Sequence, residues 1–409
     1  MKVFHQISEL VTLQGVHSKG GRNLLEQDLG LIQNASLVAN EKEILWVGKS
    51  QDLPEIYQNF TKYDCSQYTV LPSWVDAHTH LIFAGNRSQE YSLRLNGASY
   101  EEIAQSGGGI VFTMMQTRDK NFDELFQLAN ERIEKIYRHG VATIEIKSGY
   151  GLSYESEELM TRVIHQCKKH WANKVTISNT FMAAHAKPKN FATTKAYMNE
   201  VVIPLLEKLA PEKIIDAVDI FHEKNYFTDE DTELLFKKAH TLGIRCKLHA
   251  DELNDNFGAS LGVKYKALSC DHLLKVSDQG IKDLSQSKTV AMLLPGTGFF
   301  LGKPQADARK LLDNGVKVAI ASDFNPGSCH FDHVFKLAQF VAPTYKMNRA
   351  ELIAAITLNA SHALNLTNQG ALIEGMMPKF SLFKAKNLSD LLYTWNEDLF
   401  FKHGSEILI

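Results

Sequence analysis

The chain has 409 residues, 44% apolar and 22% charged, a balance that belongs to a folded globular protein and excludes a disordered or collagen-like one. Its 44 basic and 47 acidic side chains leave a net charge of -3, so no basic field exists to gather nucleic acid or an anionic membrane. No stretch approaches the ~20 apolar residues of a membrane span, and residues 1–6 carry no secretion pattern; a cytoplasmic protein acting on small molecules is expected.

In chain order, residues 1–65 contain β-like pieces at 36–38 and 43–47, with turn residues around Gly15 to Gly21. From residue 66 onward, short apolar β-type runs alternate with helix-length stretches. The runs are 70–75, 141–146, 175–181, 217–221, 244–248, 267–270, 290–294 and 318–321. Between the first two, Phe122, Leu125, Phe126, Ala129, Ile133 and Ile136 recur at helical spacing and stop before His139-Gly140. Eight strand-helix units within ~280 residues predict an α/β fold, a closed (β/α)8 TIM-type barrel over residues 66–365. An open doubly wound sheet is the alternative, but no Gly-x-Gly-x-x-Gly follows the first strand. Residues 366–409, with pieces at 370–375 and 381–383, are expected to join residues 1–65 in a small β-rich domain. The five cysteines (Cys65, Cys167, Cys246, Cys270 and Cys329) are scattered and suit reduced core thiols.

Barrel chemistry gathers where strands end. After the first run stand His78 and His80, which share one face of an extended segment because side chains alternate with a period of two. The second run leads into Lys147-Ser-Gly-Tyr150, the third into His185, and the fourth into His222-Glu223. The fifth leads into His249 and Glu252, the sixth into Asp271-His272, the seventh into Pro295-Gly-Thr297, and the eighth into Asp323. So many ionisable groups in one mouth are costly unless they bind a metal or a substrate.

His78, His80, His249 and Asp323 are therefore expected to bind one divalent ion, zinc before others: three imidazoles and a carboxylate leave a position for water, whose pKa the ion lowers. A second ion would call for another anionic bridge at the fourth strand end, where His222 and Glu223 stand instead. Glu252, three residues after His249, is placed to shuttle a proton, the other reading being a surface helix cap. His272 can hold the nucleophile or polarise a carbonyl. Arg87, on the loop after His80, suits a substrate carboxylate. Tyr150 and His185 are hydrogen-bonding candidates, and Ser106 to Gly109 either lets backbone approach a ligand or is a plain loop.

Pro72-Ser-Trp-Val-Asp-Ala-His78-Thr-His80, His249-x-x-Glu252, Asp271-His272 and Ser322-Asp323 resemble the amidohydrolase superfamily. Within it, five segments between about residues 65 and 365 are similar to the imidazolonepropionase family. They are Phe83-Ala-Gly-Asn-Arg87, Arg94-Leu-Asn-Gly97, Ser106-Gly-Gly-Gly-Ile110, Glu145-Ile-Lys-Ser-Gly-Tyr150-Gly and Ser322-Asp-Phe-Asn-Pro-Gly-Ser328. The resemblance implies hydrolysis of the cyclic amide of 4-imidazolone-5-propanoate to N-formimino-L-glutamate in histidine breakdown, and a homodimer. It assigns metal binding to His78, His80, His249 and Asp323, and substrate contacts to Arg87, Tyr150, His185, Glu252, Asn325, Gly327 and Ser328. One zinc or iron ion per subunit is implied, since imidazole and carboxylate suit both.

The chain departs from the family at His222, where a cysteine is usual, and at 375–380, which lacks a common Ala-Asp. Two other readings stand beside this one. A mononuclear deaminase acting on a nucleobase-like heterocycle shares His249-x-x-Glu252 but leaves Arg87 no carboxylate to hold. A non-catalytic barrel relative would have lost ligands, and here every expected ligand is present.

Overall fold

Eight parallel strands form a ring in the computed structural model, which describes residues 1–98, 102 and 108–408. They are Trp74–Asp76, Val141–Lys147, Thr176–Ala184, Ala217–His222, a fifth strand split into Arg245–Cys246 and Leu248–Ala250, then Ser269–His272, Val290–Leu293 and Val318–Ile320. Each pairs with its sequence neighbour. The ring closes between the last and the first through the Thr79–Phe324 bridge, His80 N–H donating to Phe324 O at 2.9 Å and Asp323 N–H to His78 O at 3.0 Å. Asp76 reinforces this seam by accepting from the Ser322 hydroxyl at 2.6 Å and its N–H at 2.9 Å. Closure thus brings the first and eighth strand ends side by side, as the barrel expectation required.

The strands are buried on both faces, as parallel strands under helices must be, and Val141–Lys147 is buried throughout. The helix Phe122–Tyr137 shows why its sequence folds so. Asn121 caps it in a reciprocal box with Glu124, and Leu125, Ala129, Ile133 and Ile136 form its buried face. Burying each large side chain on that face contributes about 1.5–3 kcal/mol. Gly140, at φ +86°, then turns the chain into the second strand.

The run 70–75 is not one strand. Thr69–Pro72 belongs to a seven-stranded sheet outside the barrel, and only Trp74–Asp76 enters the ring. Pro72 has no N–H to continue a ladder; at the next residue Ser73 N–H donates to Lys379 O, and Trp74 N–H to Gly140 O of the barrel side. An apolar run carries no mark of which sheet it serves. Trp74 is held at the junction by Phe335, ring on ring at 4.8 Å.

Both ends of the chain meet in the outer sheet. Lys2–Val11, Leu31–Ala39 and Ile44–Lys49 pair antiparallel, Lys62–Asp64 and Thr69–Pro72 flank Lys2–Val11 in parallel, and Phe380–Phe383 joins Thr69–Pro72 to Phe400–His403. Two expected details differ. Residues 14–18 form a short helix within the expected turn region. Residues 370–375 form a turn, because Gly370 and Gly375 adopt φ of +92° and +84°; Leu372 N–H donates to Thr12 O and Gly375 N–H to Ile44 O. All five cysteines are buried free thiols. Among the described residues, no helix is long and apolar enough to cross a membrane.

Candidate active site

Beyond Trp74–Asp76 the chain stays extended enough for His78 and His80 to face the barrel axis together, their ring centroids 5.3 Å apart. His249, within the fifth strand, lies 4.6 and 5.6 Å from them. One ring nitrogen from each of the three falls within 4.8 Å of the others. Asp323 Oδ1 is 3.4 Å from His78 Nε2 and 3.7 Å from His80 Nε2, while the Thr297 hydroxyl donates to Asp323 Oδ2 at 2.5 Å.

Burial, with neighbouring cationic groups, holds His78 and His80 well below the ordinary imidazole range, so both rings are neutral and offer lone pairs. Burial likewise raises Asp323 to about 6. Among the described residues, His78 Nε2 is buried with no hydrogen-bond partner. An orphaned nitrogen, two further imidazoles and a carboxylate short of positive charge fit a divalent cation of the nitrogen-and-oxygen-binding kind. Asp323 also sits at φ +52°, a strained conformation for a non-glycine residue that the closure seam maintains.

A layer of buried charge lies beneath this cradle. Asp271 Oδ2 is 2.6 Å from His78 Nδ1, and Asp219 Oδ2 is 3.1 Å from His249 Nδ1. The Lys147 ammonium bridges Asp219 at 2.6 Å and Glu145 at 2.8 Å, and the Lys247 ammonium donates to Glu145 at 2.7 Å and to Ala77 O at 2.8 Å. Both ammoniums also approach Asp271 Oδ2, at 3.8 and 3.7 Å. These side chains are wholly buried, which charges tolerate only when paired. The Asp271 carboxylate fixes Nδ1 as the protonated nitrogen of His78 and leaves its Nε2 for the centre, while Asp219 stands as a nearby negative charge beside His249.

Asp219 and Lys247 had no expected role, and Glu145 and Lys147 none beyond their place in the segment Glu145-Ile-Lys-Ser-Gly-Tyr150-Gly. The available signal was a charged residue inside an apolar run, Glu145 in 141–146, Asp219 in 217–221 and Lys247 in 244–248, where a doubly buried strand would otherwise stay apolar.

Above the cradle, His272 Nε2 lies 3.6 Å from Glu252 Oε2, and the His272 ring is 5.1 Å from that of His249. His272 adopts φ +81°. Burial, reinforced by the Asp323 charge, raises the Glu252 carboxyl to about 8, which lets it accept and release a proton near neutrality. His185 stacks on His80 at 4.8 Å and 18°, and its Nδ1–H donates to Gly149 O at 3.0 Å. Burial lowers His185 to about 3, so its Nε2 is a bare acceptor. The Tyr150 ring packs 5.3 Å from it.

Arg87 is buried; its Nε donates to Glu90 at 2.9 Å, and among the described residues its Nη2 has no partner. Gly327 lies flat against the guanidinium, where a Cβ would come within 2.2 Å of Nη1. Asn325 spends its amide on the same loop, accepting from the N–H groups of Gly327 at 2.8 Å and Ser328 at 2.7 Å and donating to Asp323 O at 2.6 Å. Its hydrogen bonds therefore shape the loop around Arg87. His222 stands apart from the imidazole cluster, its Nε2 held by Asp229 at 2.7 Å. Ser106 and Gly107 lie outside the described residues.

The profile of the amidohydrolase family matches residues 69–404. The chain is 38% identical to the imidazolonepropionase of Bdellovibrio bacteriovorus over 371 residues, covering 90% of this chain and 86% of that protein. It is also 38% identical to the imidazolonepropionase of Paracoccus denitrificans over 395 residues, 96% of each. Among solved structures it resembles an atrazine chlorohydrolase from Arthrobacter aurescens complexed with zinc, with a TM-score of 0.73 at 13% identity over 98% of this chain and 93% of that one. A guanine deaminase from C. acetobutylicum with bound guanine gives a TM-score of 0.67 at 14% identity over 98% of each chain. At such identities these two structures speak for the fold alone.

Proposed function

This chain belongs to the amidohydrolase family, and within it to the imidazolonepropionases; from that premise we propose that it hydrolyses the cyclic amide of 4-imidazolone-5-propanoate to N-formimino-L-glutamate. The observation that carries the reading is the cradle of His78, His80, His249 and Asp323 at the mouth of a barrel whose loops also hold a buried arginine, its Nη2 without a partner among the described residues. The four side chains hold one zinc or iron ion per subunit. Bound there, the ion supplies a Lewis acid that makes water a nucleophile at neutral pH.

The rest of the chemistry belongs to the side chains. The water oxygen adds to the ring carbonyl carbon, and the ring carbon–nitrogen bond breaks. Glu252 takes the water's proton and delivers it to the departing nitrogen, a shuttle for which a carboxyl raised toward the working pH is suited. His272, across 3.6 Å from Glu252, stabilises the charge that develops on the carbonyl oxygen. Arg87 binds the propanoate carboxylate on the loop shaped by Asn325, Gly327 and Ser328. Tyr150 and His185 hold the ring, His185 through its bare Nε2. In this reading the protein works in the cytoplasm as a homodimer.

Arg87 also separates this function from deamination of a neutral base, which presents no carboxylate to a guanidinium. The test is metal analysis of the purified protein together with ultraviolet measurement of imidazolonepropanoate consumption. Ring opening with about one ion per chain is the expected result. Ammonia release from nucleobases, with imidazolonepropanoate untouched, would overturn it.

A further inference from the structure

Residues 252–256 follow the fifth strand without forming helix or strand, and Leu253 at their tip is 53% exposed. Exposed irregular segments open easily unless something ties them down. Glu252 nevertheless needs its carboxylate held within hydrogen-bond reach of the reacting atoms.

Five donors converge on Glu223, at the end of the fourth strand. Its Oε2 accepts from the N–H groups of Leu253 at 2.8 Å and Asn254 at 3.2 Å. Its Oε1 accepts from Asn254 Nδ2 at 3.0 Å, Asn256 Nδ2 at 3.1 Å and its neighbour Lys224 N–H at 2.7 Å. Glu223 is 2% exposed, and among the described residues no ion pair is recorded for it. A buried carboxylate without a cation persists only when donors saturate it, and here four of the five come from the three residues Leu253, Asn254 and Asn256.

On the other side of Glu252, Asp251 is anchored separately. It accepts from the N–H groups of Gly258 at 2.8 Å, Ala259 at 2.9 Å and Asn256 at 3.1 Å. Glu252 is thus the link between two clamped stretches of chain. A group needed only to fill space at the strand end would carry no charge.

We infer that Glu223 is a positioning residue, whose carboxylate holds residues 252–256 so that Glu252 faces His272 over the cradle. The inference rests on the proton-transfer role given to Glu252 above.

The test is Glu223→Gln in the intact, metal-loaded protein. Glutamine keeps the size but turns one acceptor oxygen into a donor facing other donors. Turnover of imidazolonepropanoate is expected to fall about 10- to 100-fold in kcat with KM within about threefold, as a misplaced catalytic group produces. Bound metal stays the same, and amide exchange quickens at residues 252–256 while the barrel strands are unaffected. The paired variant Asn254→Ala/Asn256→Ala removes two donors from partly exposed positions, and a smaller loss of kcat with the same local exchange is expected.

Normal kcat in a folded Glu223→Gln, or a kcat loss without faster local exchange, overturns the inference. Should Glu223→Gln fail to fold, normal kcat in the asparagine pair does the same. The exchange measurement needs no substrate, so unsubstituted protein that leaves the ring intact counts against the proposed function, while the clamp is then decided by exchange alone.

Discussion

His78 Nδ1 donates to Asp271 Oδ2 across 2.6 Å of wholly buried space, and the opposite ring nitrogen, Nε2, faces Asp323 Oδ1 at 3.4 Å. A carboxylate from the sixth strand thereby sets which nitrogen of a first-strand histidine is free to bind an ion. Asp271 also lies within 4 Å of two ammonium groups, Lys147 and Lys247, so its charge serves both layers.

Replacing Asp271 with Asn removes the charge that orients His78 and leaves the two lysines less well compensated. Metal affinity is expected to drop about 10- to 100-fold, the usual cost of losing such a partner. Competition with a chelator of known affinity measures it. Unchanged affinity would mean that packing alone holds the ring.

For Glu252→Gln the side chain keeps its shape and loses its proton-carrying capacity. A fall in kcat of about 10²- to 10⁴-fold is expected, with bound metal unchanged. Steady-state rates beside metal analysis decide it, and near-normal turnover would move the shuttle to another group.

Arg87→Ala removes a charge-assisted hydrogen-bond donor and should lower kcat/KM about 10- to 100-fold, chiefly through KM. Gly327→Ala reaches the same group from the other side, because the new Cβ would lie 2.2 Å from Arg87 Nη1 and push the guanidinium away. A related rise in KM is expected. If both variants lost only kcat, the arginine would not be the carboxylate anchor.

His403 predicts how acid affects the junction of barrel and outer sheet. Burial lowers it to about 4; its Nε2–H donates to Tyr137 O at 3.0 Å, and its Nδ1 meets the Ser381 hydroxyl at 3.0 Å. Because the folded pKa lies below the unfolded value of about 6.5, the neutral ring favours the folded state above pH 6.5. That contribution, at most about 3 kcal/mol, is lost as pH falls from 6.5 through 4. Urea midpoints at pH 7 and pH 4.5 should therefore fall less in His403→Gln than in the unsubstituted protein. Equal falls would place the acid sensitivity elsewhere.

Legibility in the sequence followed the range of the interaction. The helix 122–137 could be read because its apolar residues recur three and four positions apart, within a few residues of each other. The split at Pro72 could not, because both halves of 70–75 are apolar and nothing local says that one serves the outer sheet and the other the ring. Among the site residues, His222 shows the same limit. Its place at a strand end left its role open, and only the fold shows that Asp229, seven residues away, holds its Nε2 apart from the cradle.

What the amino-acid order determined by itself was periodic and local: eight apolar runs at barrel spacing, His78 and His80 on one face through the two-residue repeat of extended chain, and a crowd of ionisable groups at strand ends. The tertiary structure alone decided which of those groups meet. Asp271 reaches His78 across 193 positions, Lys247 reaches Glu145 across 102, and Glu223 clasps a loop 30 positions on, all because barrel register sets neighbours around the ring that lie far apart along the chain. Electrostatics made those meetings consequential, since a charge removed from water depends on whichever partner the fold presents to it.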